Sequence, residues 1–287
     1  FNSALYVTLE PCHHRGKQPP CTQAIVEAGI KKVVVGQLDP NPLVAGKGVA
    51  FLKEQGIEVV THILEEEARA LNKHYNVYYE RKRPYVVLKQ AVSLDGKIAV
   101  LGKRTALTDD ETNRFVHDER DDFHAILVGA DTVLIDNPRL LGSGTSFCPS
   151  VRVILDEKGR VFDQLDLQIF EDNSAPVYIF SSRKVSDLPK HVTVIDLPEF
   201  SIENILQVLY EKKLQSVYVE GGAGVHDAFL ESGLWDEIIS YVTPKLIGGN
   251  GKAAMSSFRL VSQALELDDF ACQKNGNNIR LSARRRL

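Results

Sequence analysis

The sequence predicts an α/β fold in two domains, each with a parallel sheet covered by helices. Two observations carry this. Short β-branched and aliphatic runs alternate with helix-patterned segments along nearly the whole chain, which is the arithmetic of βαβ units. A charged seam closed by proline, Glu80-Arg81-Lys82-Arg83-Pro84, interrupts the alternation and sets a boundary between residues 1–83 and 84–287. With 287 residues, each part can bury its own core.

In the first part Ala4 to Leu9 reads as a strand and runs into a Pro/Cys/His loop. Thr22 to Ala28 is a helix stopped by Gly29. Lys32 to Gly36 is a second strand, ending in the turn-forming Asp39-Pro40-Asn41-Pro42. Val49 to Gln55 is helical, and Ile57 to Ile63 is a strand. Glu65 to Arg81 reads as one longer amphipathic helix, with Ala68, Leu71 and Tyr75 at helical spacing. In the second part strands are expected at Tyr85–Val92, Ala125–Val128, Val151–Leu155, Val177–Phe180, Val192–Ile195, Val217–Val219 and Glu237–Val242. Helices fit Asp110–Arg120, Ile202–Lys213 and Val225–Ser232.

Composition excludes several classes of function. Hydrophobic residues at 44% and charged residues at 25% are globular values and argue against disorder. A net charge of -4 gives no bulk pull toward nucleic acid. The closing Arg284-Arg285-Arg286 run is expected to be a solvated tail. No apolar stretch approaches the roughly 18 residues of a membrane span, and no signal peptide is visible. Four cysteines in a chain this long do not make a disulfide framework, so a reducing cytoplasm is expected. The chain opens at Phe1 rather than Met and enters a strand at once, so the first domain is expected to lack its N-terminal part.

Cys12, at a strand end, and Cys21, at the start of a helix, can share one Zn²⁺; the helix N-terminus favours the thiolate form. A plain loop with two cysteines is the bland alternative. In the second part a strand ends in Glu220 and is followed by Gly221-Gly222-Ala223-Gly224 and a helix. Glycines there let backbone N–H groups approach a phosphate. The pattern is not a Rossmann fingerprint, because Asp227 stands where the third glycine belongs.

Thr8-Leu9-Glu10-Pro11-Cys12, His14, Gly16-Lys17, Pro19-Pro20-Cys21 and Asp39 to Gly48 resemble the deaminase half of the bifunctional riboflavin-biosynthesis deaminase/reductase family. Lys89 to Ala99, Ile126 to Val133, Asp136-Asn137-Pro138, Arg152 to Asp156, Ser216 to His226 and Pro244 to Gly249 resemble its reductase half. The resemblance implies a truncated cytidine-deaminase-like domain followed by a dihydrofolate-reductase-like domain. It implies two cofactors, NADPH and Zn²⁺, a small pyrimidine ribotide as substrate, and a homodimer or higher homo-oligomer. Cys12 and Cys21 match the two cysteines that hold zinc. The His-Ala-Glu element supplying the third ligand and the proton shuttle is not in this sequence and is expected upstream of Phe1. Deamination is therefore expected only when that element is present.

By the same resemblance His14, Lys17, Asp39 and Asn41 contact the deaminase substrate. Lys89, Asp136 and Glu220 form the reductase active site. Ala91, Thr132, Asp136, Ser181, Gly222, Ala223, Gly224, Val225 and His226 contact NADPH, and Arg120, Leu140 and Glu220 contact the reductase substrate. Two departures stand out. Ala106-Leu107-Thr108 replaces the family's Trp-Ile-Thr, and Ser143 replaces an arginine that anchors phosphate, so that either Arg139 or Arg152 compensates or substrate affinity is poor. Trp235 is expected in the core.

The implied activity is NADPH-dependent reduction of 5-amino-6-(5-phosphoribosylamino)uracil. Two alternatives remain: a reductase whose deaminase remnant is only structural, and a nucleic-acid-editing deaminase or non-catalytic binding module. The acidic balance argues against the last.

Overall fold

The computed structural model describes residues 3–16, 18–100, 103, 105–146, 148–257 and 259–286. The chain forms two compact units, Phe1–Arg83 and Pro84–Leu287.

The first unit is a parallel sheet of β1 (Ala4–Leu9), β2 (Lys32–Gln37) and β3 (Glu58–Val60), in that order. Its helices are α1 (Cys21–Glu27), α2 (Lys47–Glu54), α3 (Glu65–Leu71) and α4 (Lys73–Arg81). Val33 and Val35 of β2 pack with Ile25, Leu52 and Ile57 to form the core. Two expectations need correction. The third strand is only three residues, because His62 and Leu64 turn the chain through left-handed conformations. The single helix expected over 65–81 is broken at Asn72 (ψ 23°), whose side-chain amide donates to the Ala68 carbonyl at 2.9 Å and competes with the helical ladder.

The second unit holds a nine-stranded sheet and a separate two-stranded ribbon. Its strands are β4 (Tyr85–Ser93), β5 (Lys97–Val100), β6 (Ala125–Gly129), β7 (Val151–Leu155), β8 (Val177–Phe180), β9 (Val192–Ile195), β10 (Ser216–Val219), β11 (Glu237–Thr243), β12 (Gly251–Ala253), β13 (Leu267–Asn275) and β14 (Asn278–Arg285). The sheet runs β13-β14-β11-β4-β10-β6-β7-β8-β9, and β5 pairs with β12 in the ribbon. The pairs from β11 through β9 are all parallel, while β14 runs antiparallel to both its neighbours. Helices are α5 (Asp110–Arg120), α6 (Ala130–Asp136), α7 (Gln168–Glu171), α8 (Ile202–Glu211) and α9 (Ala223–Ser232). Near-continuous apolar runs such as Tyr85–Leu88 and Ala125–Val128 are buried, as strands covered on both faces must be. Trp235 is 1% exposed and belongs to this core.

The C-terminal hairpin β13–β14 was not expected. Its signal is Asn275-Gly276-Asn277-Asn278, in which Asn275 pairs with Asn278 and Gly276 takes φ +58° at the first of two loop positions, as primed hairpin turns require. The arginine run is accordingly no free tail. The Arg285 backbone donates to Asp236 O at 2.9 Å, its guanidinium lies over the Trp235 ring, and Arg284 and Arg286 pair with Asp269 and Glu266.

Candidate active site

Lys89 lies on β4, between β11 and β10. Register sets Ile239 beside it on β11 and brings β10 to its end one residue before Glu220. The Lys89 ammonium is 3.8 Å from the Glu220 carboxylate, and their side chains are 13% and 10% exposed. Arg120, on the last turn of α5, grips Glu220 with both arms, Nε to Oε1 at 2.6 Å and Nη2 to Oε2 at 2.8 Å. Its third donor goes to Leu141 O at 2.8 Å. Burial opposes ionisation of Glu220, but Arg120 and Lys89 overcome it and hold its pKa at about 2. Burial pushes the Lys89 ammonium below its usual range, with Glu220 pulling the other way. Arg120 is raised despite its burial, by Glu220.

This centre opens into a cavity of about 470 Å³ at the C-terminal ends of β4, β6 and β10, the crevice where α/β sheets bind ligands. The β10–α9 turn, which begins at Glu220 itself, lines the same cavity. Gly222 has φ +71° and ψ 153°, a conformation that other residues rarely adopt. At Gly221 an added Cβ would stand 2.9 Å from Val225. At Gly224 an added Cβ would meet no atom within 4 Å, so this backbone faces open space at the start of a ten-residue helix. The turn thus offers backbone N–H groups and a helix N-terminus to an anionic group, which suits the diphosphate of a nicotinamide dinucleotide.

Lys89, Ala91, Thr132, Asp136, Glu220, Gly222, Ala223, Gly224, Val225 and His226 all line the cavity. His226 is 3% exposed and its ring packs against Val219 O at 3.2 Å. Three expected residues lie outside the cavity lining. Arg120 stands behind Glu220, and Leu140 is 2% exposed in a left-handed conformation. Ser181 is 1% exposed, its hydroxyl donating to Glu157 O at 3.3 Å. Neither expected substitute for the missing arginine lines the cavity. Arg139 pairs with Asp172, while Arg152 is fully buried and donates to Asp172 O and Ala175 O. Ser143 donates to Asp121 at 2.6 Å. Unforeseen were Lys103, Arg160 and Lys252, which line the cavity without any sequence pattern to mark them.

In the first unit the Cys12 and Cys21 sulfurs lie 3.4 Å apart, close to the separation of two thiolates on one zinc. A closed site needs more ligands. His13 is committed, its Nδ1 at 2.9 Å from Thr22 Oγ1 and its ring stacked on Phe51. Among the described residues no group of three or more His, Cys, Asp and Glu could hold a metal. These residues therefore do not by themselves fit zinc. Asp39 and Asn41 are buried in the loop after β2, where Asp39 accepts from Tyr75 Oη at 3.0 Å and burial raises its pKa. His14 is half-buried, and Lys17 lies outside the described residues. Sequence reasoning passed over Glu10, whose buried carboxylate accepts from the backbone N–H groups of Asp39, Gly46, Gly48 and Val49 at 2.8 to 3.2 Å.

Sheet, glycine turn and buried cation–carboxylate centre together define an α/β reductase of the dihydrofolate-reductase-like class, preceded by a deaminase-like unit. Residues 84–281 match the RibD C-terminal domain, and residues 1–37 match the cytidine and deoxycytidylate deaminase zinc-binding region. Riboflavin biosynthesis protein RibD of Aquifex aeolicus is 39% identical over 274 residues, covering 92% of this chain and 76% of that protein. The structure of a diaminohydroxyphosphoribosylaminopyrimidine deaminase/5-amino-6-(5-phosphoribosylamino)uracil reductase from Thermotoga maritima superposes with a TM-score of 0.88 at 38% identity, covering 98% of this chain and 79% of that one. Riboflavin biosynthesis reductase Rib7 of Saccharomyces cerevisiae matches 75% of this chain over 99% of its own length, with a TM-score of 0.58 at 25% identity. The chain belongs to the RibD family.

Proposed function

We propose that this chain reduces 5-amino-6-(5-phosphoribosylamino)uracil to its ribitylamino product with NADPH, as a step of riboflavin biosynthesis. The observation that carries the reading is the Lys89–Glu220–Arg120 centre, whose Lys89 and Glu220 line one cavity together with the glycine turn that follows Glu220. NADPH, when bound, supplies the hydride. The Gly222–Gly224 backbone and the start of α9 would hold the cofactor's diphosphate. Lys89 would donate a proton to the nitrogen of the opened, imine-like ribosylamino group as its C=N π bond opens, so that the nitrogen gains an N–H bond while the hydride gives C1′ its C–H bond. Glu220, fixed by Arg120, holds the ammonium in place, and Asp136 orients the sugar hydroxyls from α6.

Deamination is expected only where an upstream His-x-Glu segment is present. It calls for a third zinc ligand and a proton-shuttling carboxylate beside Cys12 and Cys21. The nearest glutamate in sequence, Glu10, spends its oxygens on four backbone amides.

The reading extends to two domains, residues 1–83 and 84–287, in a cytoplasmic homodimer or higher homo-oligomer that does not bind nucleic acid. Net charge supports the last point, and no described helix is long and apolar enough to cross a membrane. The open edge strand β13, with Phe270 68% exposed, offers a surface for self-association. The test is NADPH oxidation, followed by absorbance, with the aminouracil ribotide and with a dihydrofolate control. Turnover of neither, or of dihydrofolate alone, overturns the reading.

A further inference from the structure

Glu119 precedes Arg120 on α5 and serves the same active-site lysine from the other side. Alternation along β4 puts Val87, Lys89 and Ala91 on one face, and register sets Tyr218 beside Val87 and Tyr241 beside Ala91. The Tyr218 and Tyr241 hydroxyls both donate to Glu119 Oε2 at 2.7 Å, bridging the two strands that flank β4. The other carboxylate oxygen accepts from Arg280 Nε of β14 at 2.9 Å. Both tyrosines are fully buried, and the Lys89 ammonium lies 5.8 Å from the centroid of the Tyr241 ring.

Such a cluster is expensive for a fold alone. A buried carboxylate, an arginine and two hydroxyls can often be replaced by apolar residues without loss of stability. Its placement against Lys89 supplies a reason to keep it. A carboxylate accepting from the phenol strengthens the negative face that the ring presents to a cation.

We propose that Glu119 is a positioning residue that acts through Tyr241 to keep the Lys89 ammonium charged and seated for proton donation. The inference rests on the reductase reading. Lys89 is faced by Glu220 just after β10, Arg120, His117 and Glu119 from α5, Tyr241 from β11 and His226 from α9. Asp136 of α6 lines the same cavity, and Arg280 stands beyond Glu119. Within this set Glu220 and Glu119 favour the charged lysine, while burial and Arg120 oppose it. Loss of the Glu119 charge therefore lets Lys89 deprotonate at lower pH.

The test uses the whole chain with Glu119→Gln and with Tyr241→Phe. The second variant keeps the Glu119–Arg280 pair, so it guards against a fold that fails when Arg280 loses its partner. One readout is the alkaline limb of the kcat–pH profile. The other is the pH dependence of Lys89 acylation by acetic anhydride, read by peptide mass spectrometry, which needs no turnover. Both midpoints are expected to fall, by about one pH unit in Glu119→Gln, so that the rate at the wild-type midpoint drops about fivefold, and by less in Tyr241→Phe, which keeps the Glu119 charge. If wild type fails to turn over the ribotide, the functional reading fails, and the acylation midpoints alone decide the role of Glu119. Midpoints that match wild type in either readout, with only a lower melting temperature, overturn the proposal.

Discussion

Arg120 and Glu220, one hundred residues apart in sequence, are joined by two parallel hydrogen bonds at 2.6 and 2.8 Å, with Lys89 3.8 Å from the same carboxylate. One carboxylate thus answers two largely buried cations. Pairs of this kind contribute little net stability as pairs, yet breaking one leaves a charge without an answer in a poorly solvated place.

Glu220→Gln is therefore not a neutral probe of chemistry. From sequence alone, Glu220 is a charge at a strand end whose amide replacement should spare the fold. In the structure the replacement leaves Arg120 and Lys89 facing each other without a counter-charge. We expect a loss of about 3–5 kcal/mol in urea unfolding, together with loss of reductase rate. Wild-type stability in this variant would show that water reaches the centre more freely than 10% exposure implies.

The same carboxylate sets an acid limit to stability. Its folded pKa of about 2 lies below the unfolded value of 4.5, so the folded state binds fewer protons in that interval. Its contribution is present in full above about pH 4.5 and disappears as pH falls toward 2. Unfolding free energy measured across this window should drop in wild type, and drop less steeply in Glu220→Gln. Parallel slopes would remove Glu220 as a source of the acid limit.

Asp136→Asn is the cleaner test of the chemistry. Asp136 lies on the last turn of α6, half-buried, and lines the cavity, so an amide of the same shape fits its place. NADPH oxidation should fall about 10²–10⁴-fold, with NADPH affinity measured alongside. If NADPH affinity falls and kcat does not, Asp136 belongs to the cofactor pocket instead.

How far the sequence could be read depended on the range of the signal. Periodicity along one segment carried β6, β7, β8 and α5, and the Gly221–Gly224 cluster marked a turn that lines the cavity. Asp136 and Glu220 stood out as charges at element ends. Glu119 did not, because its meaning depends on Tyr218, Tyr241 and Arg280, which lie 99, 122 and 161 residues away. Arg139 and Arg152 misled for the same reason, since nothing near them in sequence announces Asp172 as their partner. The ribbon β5–β12 also escaped notice, joining strands of four and three residues.

Glu10 should be the mechanical centre of the first unit. Four backbone donors converge on it from the loop after β2 and the start of α2, and Gly48 packs so closely on Pro11 that a Cβ there would collide with the Pro11 carbonyl. Glu10→Ala should destabilise this unit by about 3 kcal/mol or more, because several buried amides lose their acceptor at once. Hydrogen exchange at Gly46, Gly48 and Val49 measures it. Protection equal to wild type at these amides would mean that water replaces the carboxylate at no cost.

Gly222 and Gly224, two residues apart, should respond to alanine with opposite changes in stability. At Gly222, alanine would have to adopt φ +71°, a strain of about 1–3 kcal/mol, so Gly222→Ala should lower both the melting temperature and NADPH affinity. Gly224 carries no such constraint. It lies within α9, its φ is not positive, and an added Cβ touches no protein atom within 4 Å. Gly224→Ala should therefore leave stability unchanged or raise it by about 0.4–1 kcal/mol, since alanine restricts the unfolded chain. Its methyl group would nevertheless enter the space assigned to the cofactor, so the KM for NADPH should rise while the protein becomes no less stable. Thermal unfolding with and without NADPH, alongside steady-state kinetics, separates the two effects. If Gly224→Ala binds NADPH as wild type does, the diphosphate does not rest on the start of α9, and the cofactor must take another course through the cavity.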